Sequence, residues 1–108
     1  SRYYANYGEI DGELTHDGKA VTLVMLCYYS GYLDLAFNVD GVTSGSYNIT
    51  VNVTEIDTGR TGTITLDVTY ASYVPGFYAS PDKVPADVSR FFVAANVGKK
   101  YTVELIFN

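Results

Sequence analysis

Apolar and polar side chains alternate strictly in the stretch Tyr47-Asn48-Ile49-Thr50-Val51-Asn52-Val53-Thr54. Successive side chains of a β-strand point to opposite faces of the sheet, so this period of two predicts a half-buried strand. Its predicted inward positions are Tyr47, Ile49, Val51 and Val53. The polar residues between them are expected to face solvent.

The same alternation recurs in three other stretches, which are 33–39, 63–70 and 100–107. Further strands are predicted over 9–15, 21–29 and 88–95. Together these stretches make about seven short strands, a number typical of a sandwich or a small barrel.

Turn residues separate the predicted strands. Asp17-Gly18 suits a two-residue primed turn, and Thr58-Gly59 can close the hairpin between 46–56 and 61–70. Residues 96–98 can close the last hairpin. With a length of 108 residues, the pattern favours an all-β fold, an immunoglobulin-like antiparallel β-sandwich, with residues 1–108 as a single domain.

Two segments fall outside the alternation: residues 1–8, an N-terminal lead-in, and residues 71–87, a long irregular connection. The second segment contains all three prolines of the chain, Pro75, Pro81 and Pro85. Proline removes a backbone donor and interrupts strand pairing. The segment is interpreted as a crossover between two sheets, although connections of this length are often functional.

Composition and charge exclude several function classes. Hydrophobic residues make up 47% of the chain, which excludes a disordered protein. The net charge is −5, and the seven basic residues are scattered, so binding to nucleic acid or to an anionic membrane surface is not expected.

No apolar stretch of the sequence is long enough to span a membrane. The chain opens at Ser1 without an initiator Met, so we expect a processed protein from which an N-terminal membrane-spanning or targeting segment was removed. This expectation places it outside the cell or in the cell envelope, in contact with a membrane only through that segment.

Residues that could carry catalysis do not form a recognisable arrangement. His16 is the only histidine and is expected to be a solvated turn residue, while Cys27 is the only cysteine and is expected to be a buried, inert thiol. Glu9, Asp11 and Glu13 alternate on one strand face, too far apart to converge on calcium, and are interpreted as protection of an edge strand. We therefore expect no enzyme activity, no cofactor and no metal site.

The 21–29 strand is apolar on both of its faces. One face carries Val21, Leu23, Met25, Cys27 and Tyr29, and the other carries Val24, Leu26 and Tyr28. Either an internal segment with Tyr3, Tyr4 and Tyr7 covers the second face, or that face meets another chain. In the second case Val24, Leu26 and Tyr28 are partner-binding residues.

Tyrosine is abundant, with eleven residues in the chain. Tyrosine side chains are rigid and amphipathic and suit binding surfaces. In the irregular 71–87 segment, Tyr73, Phe77 and Tyr78 are predicted to be exposed partner-binding residues.

Two acceptor patterns for N-glycosylation overlap the 47–54 strand: Asn48-Ile49-Thr50 and Asn52-Val53-Thr54. Asn48 and Asn52 are therefore candidate glycosylation sites, although the polar face of a strand also explains the pattern.

The Thr- and Tyr-rich, low-charge strands, above all residues 45–51 and 97–105, resemble the extracellular β-sandwich domains of archaeal archaellins and type IV pilin-like proteins. That family includes the accessory stator components of the archaellum, of the F and G type. The resemblance covers about the last two-thirds of the chain. It implies a cell-surface protein that assembles with itself or ties a motility filament to the envelope, and no site residue follows from it.

The predicted function is that of a non-catalytic extracellular assembly domain, which contacts itself or another cell-surface protein and can form a homo-oligomer. The alternative, from a different class, is a ligand-binding or adhesin module that stacks a carbohydrate on Tyr73, Phe77 and Tyr78.

Overall fold

The computed structural model describes residues 2–3, 9–10, 14–96 and 98–108. Within these residues the strands are β1 (Arg2–Tyr3), β2 (Glu9–Ile10), β3 (Thr15–His16), β4 (Lys19–Tyr29), β5 (Tyr32–Val39), β6 (Ser46–Glu55), β7 (Thr61–Ala71), β8 (Gly76–Ala79) and β9 (Tyr101–Phe107). Two short helical segments, α1 (Ala86–Ser89) and the 3₁₀ turn η1 (Ala94–Asn96), lie between β8 and β9.

The strands form one continuous sheet in the order β1-β4-β5-β8-β7-β6-β9-β2, with β3 paired to the start of β4. All of these pairings are antiparallel except that of β2 with β9. β2 also approaches β4, which brings the two ends of the sheet together into a nearly closed, barrel-like shape. The all-β class is confirmed. The two-sheet immunoglobulin-like sandwich is not confirmed, because the strands share a single hydrogen-bonded path.

The four alternating stretches and the 21–29 stretch form strands β5, β6, β7, β9 and β4, as the sequence predicts. Asp17 and Gly18 both have positive φ, of 50° and 75°, which confirms the primed turn between β3 and β4. Thr58-Gly59 lies in the β6–β7 connection as expected. The predicted strand over 9–15 is represented by β2 and β3, and residues 11–13 lie outside the described part of the chain.

The predicted strand over 88–95 is wrong, because this stretch contains the end of α1 and the η1 turn. Phe91 and Phe92 are neighbours and are both buried. A strand would send one of the two outward, whereas a helical turn can direct both toward the core. The 96–98 turn closes no hairpin, since β9 pairs with β6 and β2. No described helix has the length and apolar character needed to cross a membrane.

The 71–87 segment is only partly irregular, because part of it contributes a strand to the sheet. Its residues 76–79 form β8, which pairs with β5 on one side and β7 on the other. The prediction of a crossover between two sheets is therefore wrong for this part of the segment. The three prolines lie outside β8, so the strand keeps its backbone donors.

Helix α1 covers the part of β7 that β8 does not reach. The backbone of Asp87 and Val88 lies so close to Gly62 that a Cβ at Gly62 would be 2.3 Å from the carbonyl oxygen of Asp87. The Asp87 carboxylate accepts a hydrogen bond from the Thr63 backbone N–H at 3.3 Å, and Arg90 donates to the Thr61 carbonyl at 3.3 Å. These contacts satisfy polar groups at the exposed edge of a strand.

A β-bulge changes which residues of β4 point inward. Leu23 lies opposite Phe37 and Met25 lies opposite Ala36, so Val24 is an extra residue without its own partner in β5. Val21 is buried before the bulge and Leu26 after it. Apolar residues from both alternating sets therefore reach the core of one molecule, which explains much of the two-faced apolar pattern.

Candidate interaction surface

Large apolar and aromatic side chains gather on the outer surface of β4, β5 and β8, which we call the tyrosine face. Its members are Val24, Tyr29, Tyr32, Tyr73 and Tyr78. The exposed fractions of the first four are 46%, 44%, 46% and 81%, and Tyr78 is half-buried. Several exposed apolar and aromatic side chains on neighbouring strands are characteristic of binding surfaces.

Two turns position the aromatic rings of this face. Tyr29 and Tyr32 form the last cross-strand pair before the Ser30-Gly31 turn that joins β4 to β5. Tyr73 lies in the turn between β7 and β8, and its ring centre is 6.2 Å from that of Tyr78 in an edge-to-face arrangement. Tyr29 and Tyr32 thus lie at the start of β5, whereas Tyr78 lies opposite Ala36 in the middle of β5 with Tyr73 beside it.

Asp34 lies on the same outer surface, between the buried residues Leu33 and Leu35 of β5. Its Oδ1 accepts hydrogen bonds from the Tyr78 hydroxyl at 3.3 Å and from the Ser80 hydroxyl. Its Oδ2 lies 3.8 Å from the Cys27 thiol. A polar cluster therefore occupies the space between the two groups of tyrosines.

The ionisation of Tyr78 reflects this cluster. A hydrogen bond with Ser80 favours the phenolate, but burial and the negative charge of Asp34 outweigh it and raise the pKa of Tyr78. The phenol therefore remains a hydrogen-bond donor to the carboxylate at neutral pH.

The structure places only some of the predicted partner-binding residues on this surface. Val24 and Tyr73 are exposed and Tyr78 is accessible, whereas Tyr28 is half-buried and stacks on Phe92 at 5.5 Å.

Leu26 and Phe77 cannot make exposed contacts, since they are 3% and 0% exposed. The bulge turns Leu26 inward, and the alternation of β8 turns Phe77 inward while Tyr78 points outward. The predicted covering residues Tyr4 and Tyr7 lie outside the described residues.

The outer surface of β6, β7 and β9 has a different character, and we call it the polar ladder. Hydroxyl and amide side chains pair across the strands, and the pairs are Ser46–Thr69, Asn48–Asp67, Thr50–Thr65, Asn52–Thr63 and Thr54–Thr61. The separations are 2.6–2.9 Å. Asn52 also donates to Glu104, and Asn108 donates to Asn48. These side chains satisfy one another, so this surface has little need of a partner.

Both candidate glycosylation sites lie on the polar ladder. Asn48 is exposed and Asn52 is half-buried. The solvent-facing orientation agrees with the sequence prediction, while modification of either residue stays a prediction.

A buried carboxylate, which the sequence analysis missed, lies at the other end of the core. Glu55 continues the inward row of β6 after Val53 and is fully buried. It accepts hydrogen bonds from Thr58 at 2.7 Å, from Arg60 at 3.2 Å to each oxygen, and from Tyr101 at 3.3 Å. The sequence does carry a signal for this cluster, because Glu55 is an acidic residue at the inward position that follows Val53 in the alternating strand.

The charge of Glu55 is stabilised by its neighbours. The Thr58 hydrogen bond lowers the pKa of Glu55 most; burial opposes this, and the hydrogen bond and charge of Arg60 add to the lowering. Lys99 contributes from 3.7 Å. The site is an ionised structural cluster, and a proton donor or acceptor for chemistry at neutral pH is not expected there.

His16 and Cys27 both differ from expectation. The His16 ring stacks on Phe107 at 4.1 Å and meets Tyr47 edge-on at 5.2 Å, so it is a packing residue that links β3 to β9. Cys27 is half-buried, not fully buried, because it follows the bulge on the outer side of β4. Within the described residues no group of His, Cys, Asp and Glu is arranged to hold a metal ion; Asp11 and Glu13 lie outside them.

Comparisons with protein families, with curated proteins and with solved structures found no match to this chain. The resemblance to archaellins and pilin-like proteins therefore remains a prediction from the sequence.

Proposed function

We propose that the protein is a non-catalytic assembly domain of a cell-surface structure and that it acts by protein–protein contact through the tyrosine face. The observation that carries this proposal is the grouping of Val24, Tyr29, Tyr32 and Tyr73 on one side of the molecule, each at least 44% exposed. Aromatic residues on an otherwise low-charge surface are enriched at the centres of protein interfaces.

The contrast with the polar ladder supports the choice of face. Side chains of the ladder are hydrogen-bonded across the strands, so association there would replace existing hydrogen bonds with others of similar strength. Association at the tyrosine face would instead remove apolar area from water, at about 25 cal/mol per Å². The free-energy balance therefore favours contact through the tyrosine face.

The non-catalytic part of the proposal is supported by the surroundings of the reactive side chains. His16 is engaged in aromatic stacking, and Glu55 is held in a satisfied ionic cluster. Glu55 is bonded to the hydroxyls of Thr58 and Tyr101, but the Thr58 hydrogen bond and Arg60 lower its pKa, whereas a general base that works at neutral pH needs a pKa near about 7.

An extracellular location, and membership of an archaellum- or pilus-type structure, complete the proposal. Their support is the sequence resemblance together with the low charge and high tyrosine content of the strands. The partner is a second copy of the chain or a neighbouring surface protein.

Sedimentation equilibrium from micromolar to near-millimolar concentration tests the proposal. The chain is expected to self-associate reversibly or, with a co-expressed surface partner, to form a mixed complex. Val24→Glu places a charge on the tyrosine face at an exposed position and is expected to weaken association at least tenfold. Ile106→Glu is a matched control, because Ile106 is 42% exposed on β9 and belongs to the other half of the sheet.

Leu26→Glu is unsuitable for this experiment because the buried carboxylate would unfold the protein. Association that is weakened equally by Val24→Glu and Ile106→Glu would place the contact elsewhere. A monomer at every concentration and with every co-expressed surface partner would refute the assembly function.

A further inference from the structure

The position and hydrogen bonding of Asp34 are not explained by protein assembly. It is the only charged residue in the stretches 22–29, 32–39 and 76–79, which form most of the tyrosine face. A lone carboxylate weakens a purely apolar protein contact, because burying its charge without a cation is costly. Its presence at the centre of the face therefore needs another explanation.

The two oxygens of Asp34 differ in their hydrogen bonding. Oδ1 accepts from both Tyr78 and Ser80, which fixes the orientation of the carboxylate. Among the described residues, the hydrogen-bonding partner of Oδ2 is the Cys27 thiol at 3.8 Å, and a thiol is a weak donor. Oδ2 thus retains capacity to accept a charge-assisted hydrogen bond from a ligand hydroxyl.

Aromatic rings stand on both sides of this carboxylate. Tyr32 is two residues away on β5, about 6.7 Å along the strand, and points to the same face. On the other side Tyr78 contacts Asp34 directly, and the 81%-exposed ring of Tyr73 lies next to Tyr78. Exposed aromatic faces can stack against the apolar C–H surface of a sugar ring, while a few fixed polar groups orient its hydroxyls.

The geometry points to a binding site for a neutral carbohydrate, centred on Asp34 and flanked by Tyr32 and Tyr73. Asp34 accepts a sugar hydroxyl at Oδ2, and the hydroxyl oxygens of Tyr78 and Ser80 can accept further hydrogen bonds. The tyrosine rings stack on successive sugar units. This site goes beyond the assembly function, and its existence does not depend on self-association of the chain.

Charge determines the class of carbohydrate. Within the stretches 22–29, 32–39 and 76–79 the one charged side chain is the carboxylate of Asp34, so a sialylated, uronic or sulfated sugar would be repelled at the centre of the site. Neutral oligosaccharides are therefore selected over acidic ones.

A glycan array that carries neutral gluco-, galacto- and manno-oligosaccharides beside sialylated and sulfated glycans tests the inference. Binding of the labelled chain to neutral glycans, and not to acidic ones, is expected. Absence of binding to every neutral glycan, or equal binding to acidic glycans, would overturn the inference.

Titration of the best-bound neutral oligosaccharide then assigns the residues. Tyr73→Ala is expected to weaken binding about fivefold, since it removes one stacking ring, and Asp34→Asn about tenfold. The control is Ile106→Ala, which removes an exposed apolar side chain from β9 and should leave the affinity unchanged.

Tyr73 is so exposed that its replacement leaves the fold intact. Unchanged affinity in both Tyr73→Ala and Asp34→Asn would therefore refute this site. The carbohydrate test and the assembly test can be told apart with Val24→Glu. If this variant loses association but still binds the oligosaccharide, the two functions are independent.

Discussion

The guanidinium of Arg60 donates two hydrogen bonds, each 3.2 Å long, to the fully buried carboxylate of Glu55. The pair closes the end of the β6–β7 hairpin, and Lys99 approaches the same carboxylate from the segment before β9. The Glu55 carboxylate of β6 thus interacts with Arg60 of the β6–β7 connection and with Lys99 of the segment before β9.

The Glu55 cluster predicts a pH dependence of stability. Its folded-state pKa is lower than the ordinary value of 4.5, so its stabilising contribution is complete above that value and is lost as the pH falls through the lower folded value. Urea unfolding between pH 7 and pH 2 should show wild type more stable than Glu55→Gln at pH 7, with the difference shrinking toward pH 2. The control Asp57→Asn changes an exposed carboxylate in the same turn. Parallel curves for wild type and Glu55→Gln would contradict the account.

The bulge at Val24 predicts unequal costs for two substitutions that simple alternation would treat alike. Leu26→Ala should lower the free energy of unfolding by about 2–5 kcal/mol, because it leaves a cavity in the core. Val24→Ala should change it by no more than about 0.5 kcal/mol, because Val24 is exposed. Urea denaturation of both variants gives the comparison, and equal losses would mean that β4 has no bulge.

The contact between β7 and α1 predicts that Gly62→Ala is destabilising. The added Cβ would lie 2.3 Å from the Asp87 carbonyl oxygen and 2.9 Å from the Val88 Cα, so the helix must move. A loss of about 1–3 kcal/mol is expected, as for other overpacked sites. Thr65→Ala on the same strand serves as the control and should cost about 1 kcal/mol or less. A Gly62→Ala variant as stable as wild type would show that α1 does not pack at this distance.

The polar ladder predicts unequal glycosylation of the two acceptor asparagines. In material from a glycosylating source, Asn48 should carry glycan more often than Asn52. The reason is that Asn52 is half-buried whereas Asn48 is exposed. Hydrogen bonding does not separate the two, because each asparagine donates to a carboxylate and accepts one hydrogen bond. Glycopeptide mass spectrometry measures the occupancy of both sites. Two bare asparagines, or glycan on Asn52 alone, would contradict the prediction.

Much of the sheet could be predicted from the sequence because apolar and polar residues alternate along its strands. Ile49, Val51 and Val53 of β6 occupy the inward positions that a period of two requires, and all are buried. Strand order and closure could not be predicted, since they depend on pairings between residues distant in sequence. The Phe91-Phe92 pair shows the limit of periodicity, because a short apolar run fits a strand and a helical turn equally well.

The candidate site was predictable only in part, for two local reasons. The sequence predicts Phe77 and Tyr78 as loop residues that are both exposed, whereas β8 directs them to opposite faces, Phe77 to the core and Tyr78 to the tyrosine face. Nothing in the sequence singles out Asp34, because a polar residue at an outward strand position is ordinary. Its importance comes from Ser80 and Tyr78, which only the fold brings beside it.

Amide NMR spectra of the chain, recorded from micromolar to near-millimolar concentration, test the central claim most directly. If the tyrosine face is the contact surface, concentration-dependent shifts will concentrate at Val24, Tyr29, Tyr32 and Tyr73, and the polar-ladder residues Thr50, Thr63 and Thr65 will remain unchanged. Shifts centred on the polar ladder, with the tyrosine face unaffected, would contradict the proposal and place the contact on the outer surface of β6, β7 and β9.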